Sequence, residues 1–435
     1  MSGQTVCQFC TEDLTDRTLQ QRQAHYDEHF SSRHAITSTS SQSTDVPARH
    51  GLKAWFAPYV PNSGNPETQN IFWYPSQTHP PSRNFSPGLI PMTKRALAKS
   101  RERGKTQRAW LCHEQTVHIN SEAFDRTWGC GYRNFMMVCT ALMVQQQQPM
   151  YYPLLDHPTP PGVRNLQACI EEAWAKGYDE EGAKQLKCRL TGTGKYIGTG
   201  ELYVAFTYRG IPAQLVDFEL NDGVEPLLNW VLRHFSADES PKPTTLDEAL
   251  RGTNAIVITD KMPLILQHDG HSRTVVGCER CSDGNINLLV FDPSRYIPQD
   301  IWDAGLAVHN SQMAESLRSH RNSVSSIMHD ALHPVQTIRS HKRKADAESE
   351  GETAKKPRAS MDAQDGDQTT PTRNNVAQDN VQRDPDWSKV LNIVRLSASM
   401  LRKKRRYQIL YFPLTEPLTE SERWARRELT CVKIG

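Results

Sequence analysis

The sequence carries almost no excess of charge: 51 Lys and Arg stand against 49 Asp and Glu, a formal net charge of +2 over 435 residues. That balance excludes a uniformly basic nucleic-acid binder and a uniformly acidic solvating protein, so an electrostatic partner would be met by a local patch. Long apolar runs are missing too. No stretch approaches the roughly 18 consecutive apolar residues of a membrane span. The start Met1-Ser2-Gly3-Gln4 reaches Cys7 without an apolar signal core, which predicts an intracellular chain. Hydrophobic residues make up only 37% of the total, enough for a sizeable core but low enough to predict long unfolded stretches beside it. Without a secretory signal, the 10 cysteines read as metal ligands, catalytic thiols or buried thiols rather than a disulfide framework.

Composition along the chain predicts about two or three folded units. Residues 1–30 form a compact module, and 31–93 a polar linker followed by an irregular, aromatic- and proline-bearing segment. Between Lys94 and Arg108, seven basic residues face the single acid Glu102, which reads as a basic helical arm. Residues 109–302 alternate helical and strand-like periods and form the main globular domain. From 303 to 386, His, Ser, Gln and charged residues dominate, which predicts a disordered insertion. Within it, His341-Lys342-Arg343-Lys344 and Lys355-Lys356-Pro357-Arg358 have the spacing of a bipartite nuclear-import signal. Order returns over 387–435, with helices at Trp387–Leu401 and Glu420–Leu429 and a strand at Tyr407–Phe412 that is expected to join the earlier sheet.

The N-terminal module contains C-x2-C-x14-H-x3-H, formed by Cys7, Cys10, His25 and His29. Two thiolates one turn apart grip one side of a tetrahedral ion, and two histidines at i, i+4 on a helix supply the other. Two soft thiolates and two imidazoles in a closed site point to structural Zn²⁺. A module of about 30 residues has too little apolar burial to fold alone, so metal binding would supply the folding free energy. One finger without a base-reading pattern suits a protein-binding module better than a DNA reader.

Chemistry concentrates in Trp128-Gly129-Cys130-Gly131-Tyr132-Arg133-Asn134. Glycines on both sides of Cys130 permit a tight turn and leave the thiol unobstructed. The following run to Val144 is helical, placing Cys130 at a helix N-terminus, where the dipole and free N–H groups favour a thiolate nucleophile. Such a nucleophile needs an imidazole base and a group to orient it. His271 opens a strand after the turn Gln267-His268-Asp269-Gly270, and Asp292 ends the strand Ile286–Phe291. A hairpin turning at Ser282–Asn285 brings His271 and Asp292 to the same end of two paired strands, with the carboxylate expected on Nδ1–H. His268 is the rival base. Cys278-x2-Cys281 reads as structural thiols, and Gly192-Thr193-Gly194-Lys195 lacks the order of a phosphate-binding loop.

Together with Tyr196–Glu201, Gln267-x3-His271, Phe291-Asp292-Pro293 and the closing Arg406–Leu410, these motifs resemble the ubiquitin-fold-modifier-specific protease family. Within it, they are most similar to the zinc-finger-bearing ubiquitin peptidase branch. The resemblance covers roughly residues 110–300 and 387–435. It implies a papain-like α+β cysteine protease fold behind an N-terminal zinc finger of ubiquitin-binding type, with Cys130 as nucleophile, His271 as base and Asp292 as orienter. The modifier-specific branch carries a histidine just after its Asp-Pro; here Pro293 is followed by Ser294, so His271 serves. For the oxyanion, Gln267 is favoured over Asp125 because it has an amide donor, and Trp128 is expected to wall the cleft. The implied partners are ubiquitin and polyubiquitin of the lysine-sixty-three type, in nucleus and cytoplasm. The alternatives are a protease for another ubiquitin-like modifier, or a catalytically idle ubiquitin-binding adaptor.

Overall fold

The computed structural model describes residues 69–221, 223–236, 254–332 and 386–434. The zinc ligands Cys7, Cys10, His25 and His29 and both basic clusters of the insertion lie outside the described residues.

The strands are β1 (Phe85–Ser86), β2 (Thr106–Leu111), β3 (His118–Ile119), β4 (Gln214–Glu219), β5 (Ile256–Ile258), β6 (Leu264–His268), β7 (His271–Cys281), β8 (Ile286–Phe291), β9 (Arg395–Leu396), β10 (Arg406–Tyr411) and β11 (Cys431–Ile434). The helices are α1 (Leu89–Glu102), α2 (Cys130–Leu142), α3 (Tyr151–Asp156), α4 (Val163–Ala175), α5 (Glu180–Gln185), α6 (Thr199–Tyr208), α7 (Glu225–Ser236), α8 (Gln299–Leu332), α9 (Trp387–Val394), α10 (Ala398–Leu401) and α11 (Glu420–Ala425).

One mixed sheet of nine strands runs β11-β4-β10-β6-β7-β2-β5, with β8 added to β7 and β9 to β8. Strand β7 is the backbone of the molecule. It pairs with β6 through its first half, β2 through its second, and β8 beside them. Helix α2 is apolar around almost its whole circumference and correspondingly buried from Gly131 to Leu142, as expected of a central helix. This mixed arrangement of one sheet around a buried cysteine-bearing helix fits the α+β expectation.

Three sequence boundaries are corrected. The basic segment 94–108 is not an appended arm: Ala96, Leu97 and Ser100 of α1 are buried while the charges line its outer side, and Thr106 already enters β2. The irregular segment joins the core, with Trp73 and Phe85 buried and β1 paired to β3. Structure also continues past 303, because α8 runs to Leu332; Trp302 Nε1–H donates to the Phe85 carbonyl at 2.7 Å and Ile301 is fully buried. Sparse apolar residues sufficed for that docking. Of the C-terminal elements, Trp387–Leu401 divides into α9, β9 and α10, and β10 enters the sheet between β4 and β6 as expected.

A buried ion pair fastens the segment after the insertion. Arg395 donates to both oxygens of the fully buried Glu279, at 2.8 and 2.6 Å, and Glu279 also accepts from the Thr106 hydroxyl at 2.5 Å. Removing the guanidinium would strand a buried carboxylate. Arg395→Ala is therefore expected to lower unfolding free energy by about 3 kcal/mol in urea titrations, and an unchanged midpoint would contradict this.

Candidate active site

Cys130 is the first residue of α2, after N-cap Gly129, so its sulfur meets the positive end of the helix dipole. The flanking glycines turn out to be needed for close packing rather than for a left-handed turn. A Cβ on Gly129 would lie 2.3 Å from Asp125 Oδ2, and one on Gly131 would lie 2.5 Å from the Ile197 carbonyl oxygen. Asp125 is fully buried; its Oδ2 accepts from Arg133 Nε at 2.6 Å and its Oδ1 from the Glu122 N–H at 2.7 Å. Arg133 also binds Glu122 at 2.7 Å. This closed ionic knot fixes where α2 begins, and it removes Asp125 as an oxyanion donor.

His271 opens β7 and Asp292 follows β8, and the pairing of the two strands brings the residues together. His271 Nε2 lies 3.0 Å from Asp292 Oδ1. The expected use of Nδ1 is thus reversed: the carboxylate holds Nε2 and leaves Nδ1, the nitrogen nearer the backbone, to face the thiol. Cys130 and His271 line the same two clefts, and each shifts the other's proton affinity, the thiol downward and the imidazole upward. Asp292 Oδ1 also accepts the Ser294 N–H at 3.0 Å and hydroxyl at 2.6 Å, and Oδ2 accepts Arg273 Nε at 2.7 Å. The buried His118 ring lies 2.9 Å from the Asp292 carbonyl oxygen through Nε2; burial pushes its pKa down to about 4, so it is neutral and donates.

The electrostatics favour an ion pair. Burial alone would raise the Cys130 thiol, but hydrogen bonds from His271 and from the Ser272 hydroxyl and backbone hold it below its ordinary 9.0. Burial likewise opposes charge on His271, yet the bond to Asp292 and then that to Cys130 raise it from 6.5 to about 9. Against its own burial, His271, Ser294 and Arg273 hold the Asp292 carboxyl far below the usual carboxylate range. His268 faces elsewhere: its Nδ1 meets the Asp269 carbonyl at 2.8 Å, its Nε2 meets Arg273, and its ring packs on Tyr407.

Cys130 lies where two clefts meet. One, of about 270 Å³, is lined by Arg126, Arg273 and Ser294. The other, of about 780 Å³, runs past Gly198, Gly200, Gln267, Asp179, Glu181 and Asp269. Tyr196, 55% exposed, borders both, so the aromatic at the cleft is Tyr196. Trp128 is instead buried, donating from Nε1 to the Phe124 carbonyl at 3.0 Å and packing edge-on against Tyr132. Gln267 lies along the larger cleft with its Oε1 anchored by the Thr199 hydroxyl at 2.8 Å and by the Thr199 N–H.

Residues 105–326, just over half of the chain, match the model of peptidase family C78. The chain belongs to that family. Zinc finger-containing ubiquitin peptidase 1 of Mus musculus is 36% identical over 219 residues, which are 49% of this chain and 34% of that protein. Ubiquitin carboxyl-terminal hydrolase mug105 of Schizosaccharomyces pombe is 33% identical over 175 residues, 40% of this chain and 62% of that protein. The chain thus matches about a third of the length of the mammalian relative. The crystal structure of UfSP from C. elegans shares 14% identity and a TM-score of 0.24 over 46% of this chain and 28% of that one.

Several site residues of this C78 chain escaped sequence reasoning. Ser272 follows His271 on a strand, so side-chain alternation argued for the opposite face, yet it also reaches Cys130. Ser294 and Arg273 hold Asp292 but carry no motif of their own. Elsewhere, Cys278 and Cys281 are thiols whose pKa values burial pushes up to about 12 and about 11, as expected of structural cysteines. Lys195 Nζ caps the carbonyls of Leu186 and Arg189, a structural role. Among the described residues, no cluster of three or more His, Cys, Asp or Glu side chains suits a metal ion, and no helix is long and apolar enough to cross a membrane.

Proposed function

We propose that this C78 peptidase is a deubiquitinating cysteine hydrolase that cleaves polyubiquitin, of the lysine-sixty-three type, through a thioester acyl-enzyme. The observation that carries the reading is the His271–Asp292 hydrogen bond beside Cys130, whose thiol His271 lowers, where two clefts meet. The Cys130 thiolate attacks the carbonyl carbon of the modifier's terminal glycine, and Gln267 Nε2 with N–H groups at the start of α2 receives the oxyanion. Imidazolium His271 then gives its proton to the departing lysine amine, leaving a thioester. Water attacks next, its proton passing to His271; the carboxylate product leaves and the Cys130–His271 ion pair is restored. Asp292 holds the ring and favours its charged form throughout.

The larger cleft supports a flexible, glycine-ended tail as substrate. Gly198 and Gly200 line it, and Asp179, Glu181 and Asp269 give it a negative lining for a basic strand. Names of the relatives at 36% and 33% identity support ubiquitin as the modifier. A panel of linkage-defined diubiquitins and longer chains tests this reading. Release of monoubiquitin is expected, fastest from lysine-sixty-three chains; cleavage of other modifiers alone would replace ubiquitin as substrate, and no cleavage of any modifier would leave an adaptor.

The N-terminal Cys7, Cys10, His25 and His29 form a donor set chemically suited to Zn²⁺, and in this reading the finger is a ubiquitin-binding module that holds the chain near the cleft. Metal analysis of the full chain is expected to give one zinc per molecule, lost in His25→Ala; retention of zinc in that variant would contradict the assignment. The two basic clusters support residence in both nucleus and cytoplasm. A tagged chain with Lys342, Arg343 and Lys344 replaced by alanine would then be depleted from nuclei, and an unaltered distribution would refute the signal.

A further inference from the structure

The sulfur of Cys130 has a second set of partners, built on the buried side of β7. Ser272 is 2% exposed, and Asn134 and Thr274 are fully buried. Asn134 lies four residues after Cys130 on α2, so both project from one face of the helix toward β7. Asn134 Nδ2 donates to Ser272 Oγ at 2.9 Å, and the Thr274 hydroxyl donates to Asn134 Oδ1 at 2.8 Å. Ser272 lines the same cleft as Cys130, and its hydroxyl and backbone N–H are among the groups that lower the thiol.

Resting on the reading of Cys130 as nucleophile, we propose that Ser272 is a catalytic residue that donates its hydroxyl proton to the thiolate, and that Asn134 and Thr274 are positioning residues that leave that proton no other acceptor. The argument is one of proton counting. The Thr274 proton occupies Asn134 Oδ1 and fixes the amide with nitrogen toward Ser272. That nitrogen fills a lone pair on Ser272 Oγ and accepts nothing. The single hydroxyl proton of Ser272 therefore goes to sulfur. Three buried side chains thus act as one preset donor, and such a donor costs no reorganisation when the thiolate forms. It also works whether or not the imidazole is charged, giving the sulfur a stabiliser independent of His271.

The test is the pH dependence of Cys130 alkylation by iodoacetamide in the full chain, read by mass spectrometry at that peptide. It needs no ubiquitin, so failure of the proposed substrate leaves it intact. A hydrogen bond to a charged group corresponds to roughly tenfold in an equilibrium or more, so Ser272→Ala is expected to raise the thiol midpoint by about one pH unit and to slow alkylation at pH 6 about tenfold. Thr274→Val, nearly the same shape and out of contact with sulfur, should move the midpoint the same way by less, because the amide is then free to turn. Ser272→Thr keeps the hydroxyl and should restore the parent curve. The other charged groups around the sulfur are unchanged in all three: His271 and Arg273 on β7, Arg126 before α2, Asp292 behind the imidazole, Asp269 in the hairpin, and Asp179, Glu181 and Glu201 across the cleft. If Ser272→Ala and Thr274→Val titrate like the parent while their melting temperatures are unchanged, the amide points the other way and the proposal is overturned. A shift in Ser272→Ala that Ser272→Thr fails to reverse would likewise reduce Ser272 to a packing role.

Discussion

Replacing Cys130 by serine, or His271 by alanine, is expected to lower kcat/KM for hydrolysis of a ubiquitin C-terminal amide by about 10⁴-fold or more. The two changes remove different things. Serine keeps the size and the helix start but not the acidity: a hydroxyl at the N-terminus of α2 ionises far less readily than a thiol held below its ordinary 9.0. Alanine at 271 keeps the thiol but removes the group that hydrogen-bonds it and that returns a proton to the departing amine. Because nucleophile and base act in one step, the double variant should fall little further than either single one. The measurement is steady-state hydrolysis with melting temperatures recorded in parallel. A folded Cys130→Ser chain that keeps more than a few percent of activity would place the nucleophile elsewhere.

Asp292→Asn should be nearly as damaging and should change the shape of the pH profile. The active form is thiolate with imidazolium, so the rate rises as the thiol ionises and falls as His271 loses its proton. His271 sits at about 9, raised chiefly through its bond to Asp292. With that limb so high, the parent profile should decline on its alkaline side only near 9. An asparagine at 292 keeps one acceptor but removes the negative charge, so the alkaline limb should move down toward the ordinary imidazole value of roughly 6.5. At pH 8 that alone costs more than tenfold. A ring no longer held by a charged oxygen, beside an Arg273 guanidinium that has lost its carboxylate, should bring the total loss to about 10²–10⁴-fold. An alkaline limb that stays near 9 in Asp292→Asn would show that the carboxylate does not govern the imidazole.

What the sequence made legible was local chemistry with one long-range step. The N-terminal position of Cys130 follows from an apolar run after a glycine pair, and the meeting of His271 with Asp292 follows from counting residues on each side of the turn at Ser282–Asn285. Both are short-period signals. Which imidazole nitrogen meets the carboxylate was not legible, because it depends on the height of Cys130 above the strand ends. Ser272 was hidden for a similar reason: alternation along a strand says which face a side chain takes, not what a helix on that face brings to it. Proximity in sequence to Cys130 says nothing about the rotamer of Trp128, whose indole is spent on the Phe124 carbonyl in the core. Helix α8 lies in a stretch whose composition predicts an unfolded insertion, because its docking needs only a few apolar contacts near its start, such as Ile301 and Trp302, too few to shift the average over a polar stretch.

The central claim is that one ionised sulfur attacks the C-terminal carbonyl of a modifier held in the larger cleft. Incubating the full chain with ubiquitin bearing a C-terminal electrophile, followed by proteolysis and mass spectrometry, tests it most directly. A single adduct on the peptide carrying Cys130, absent in His271→Ala and blocked by prior alkylation, is the predicted result. Labelling that falls on the exposed Cys188 or Cys431 instead, or no labelling of a folded chain, would contradict it.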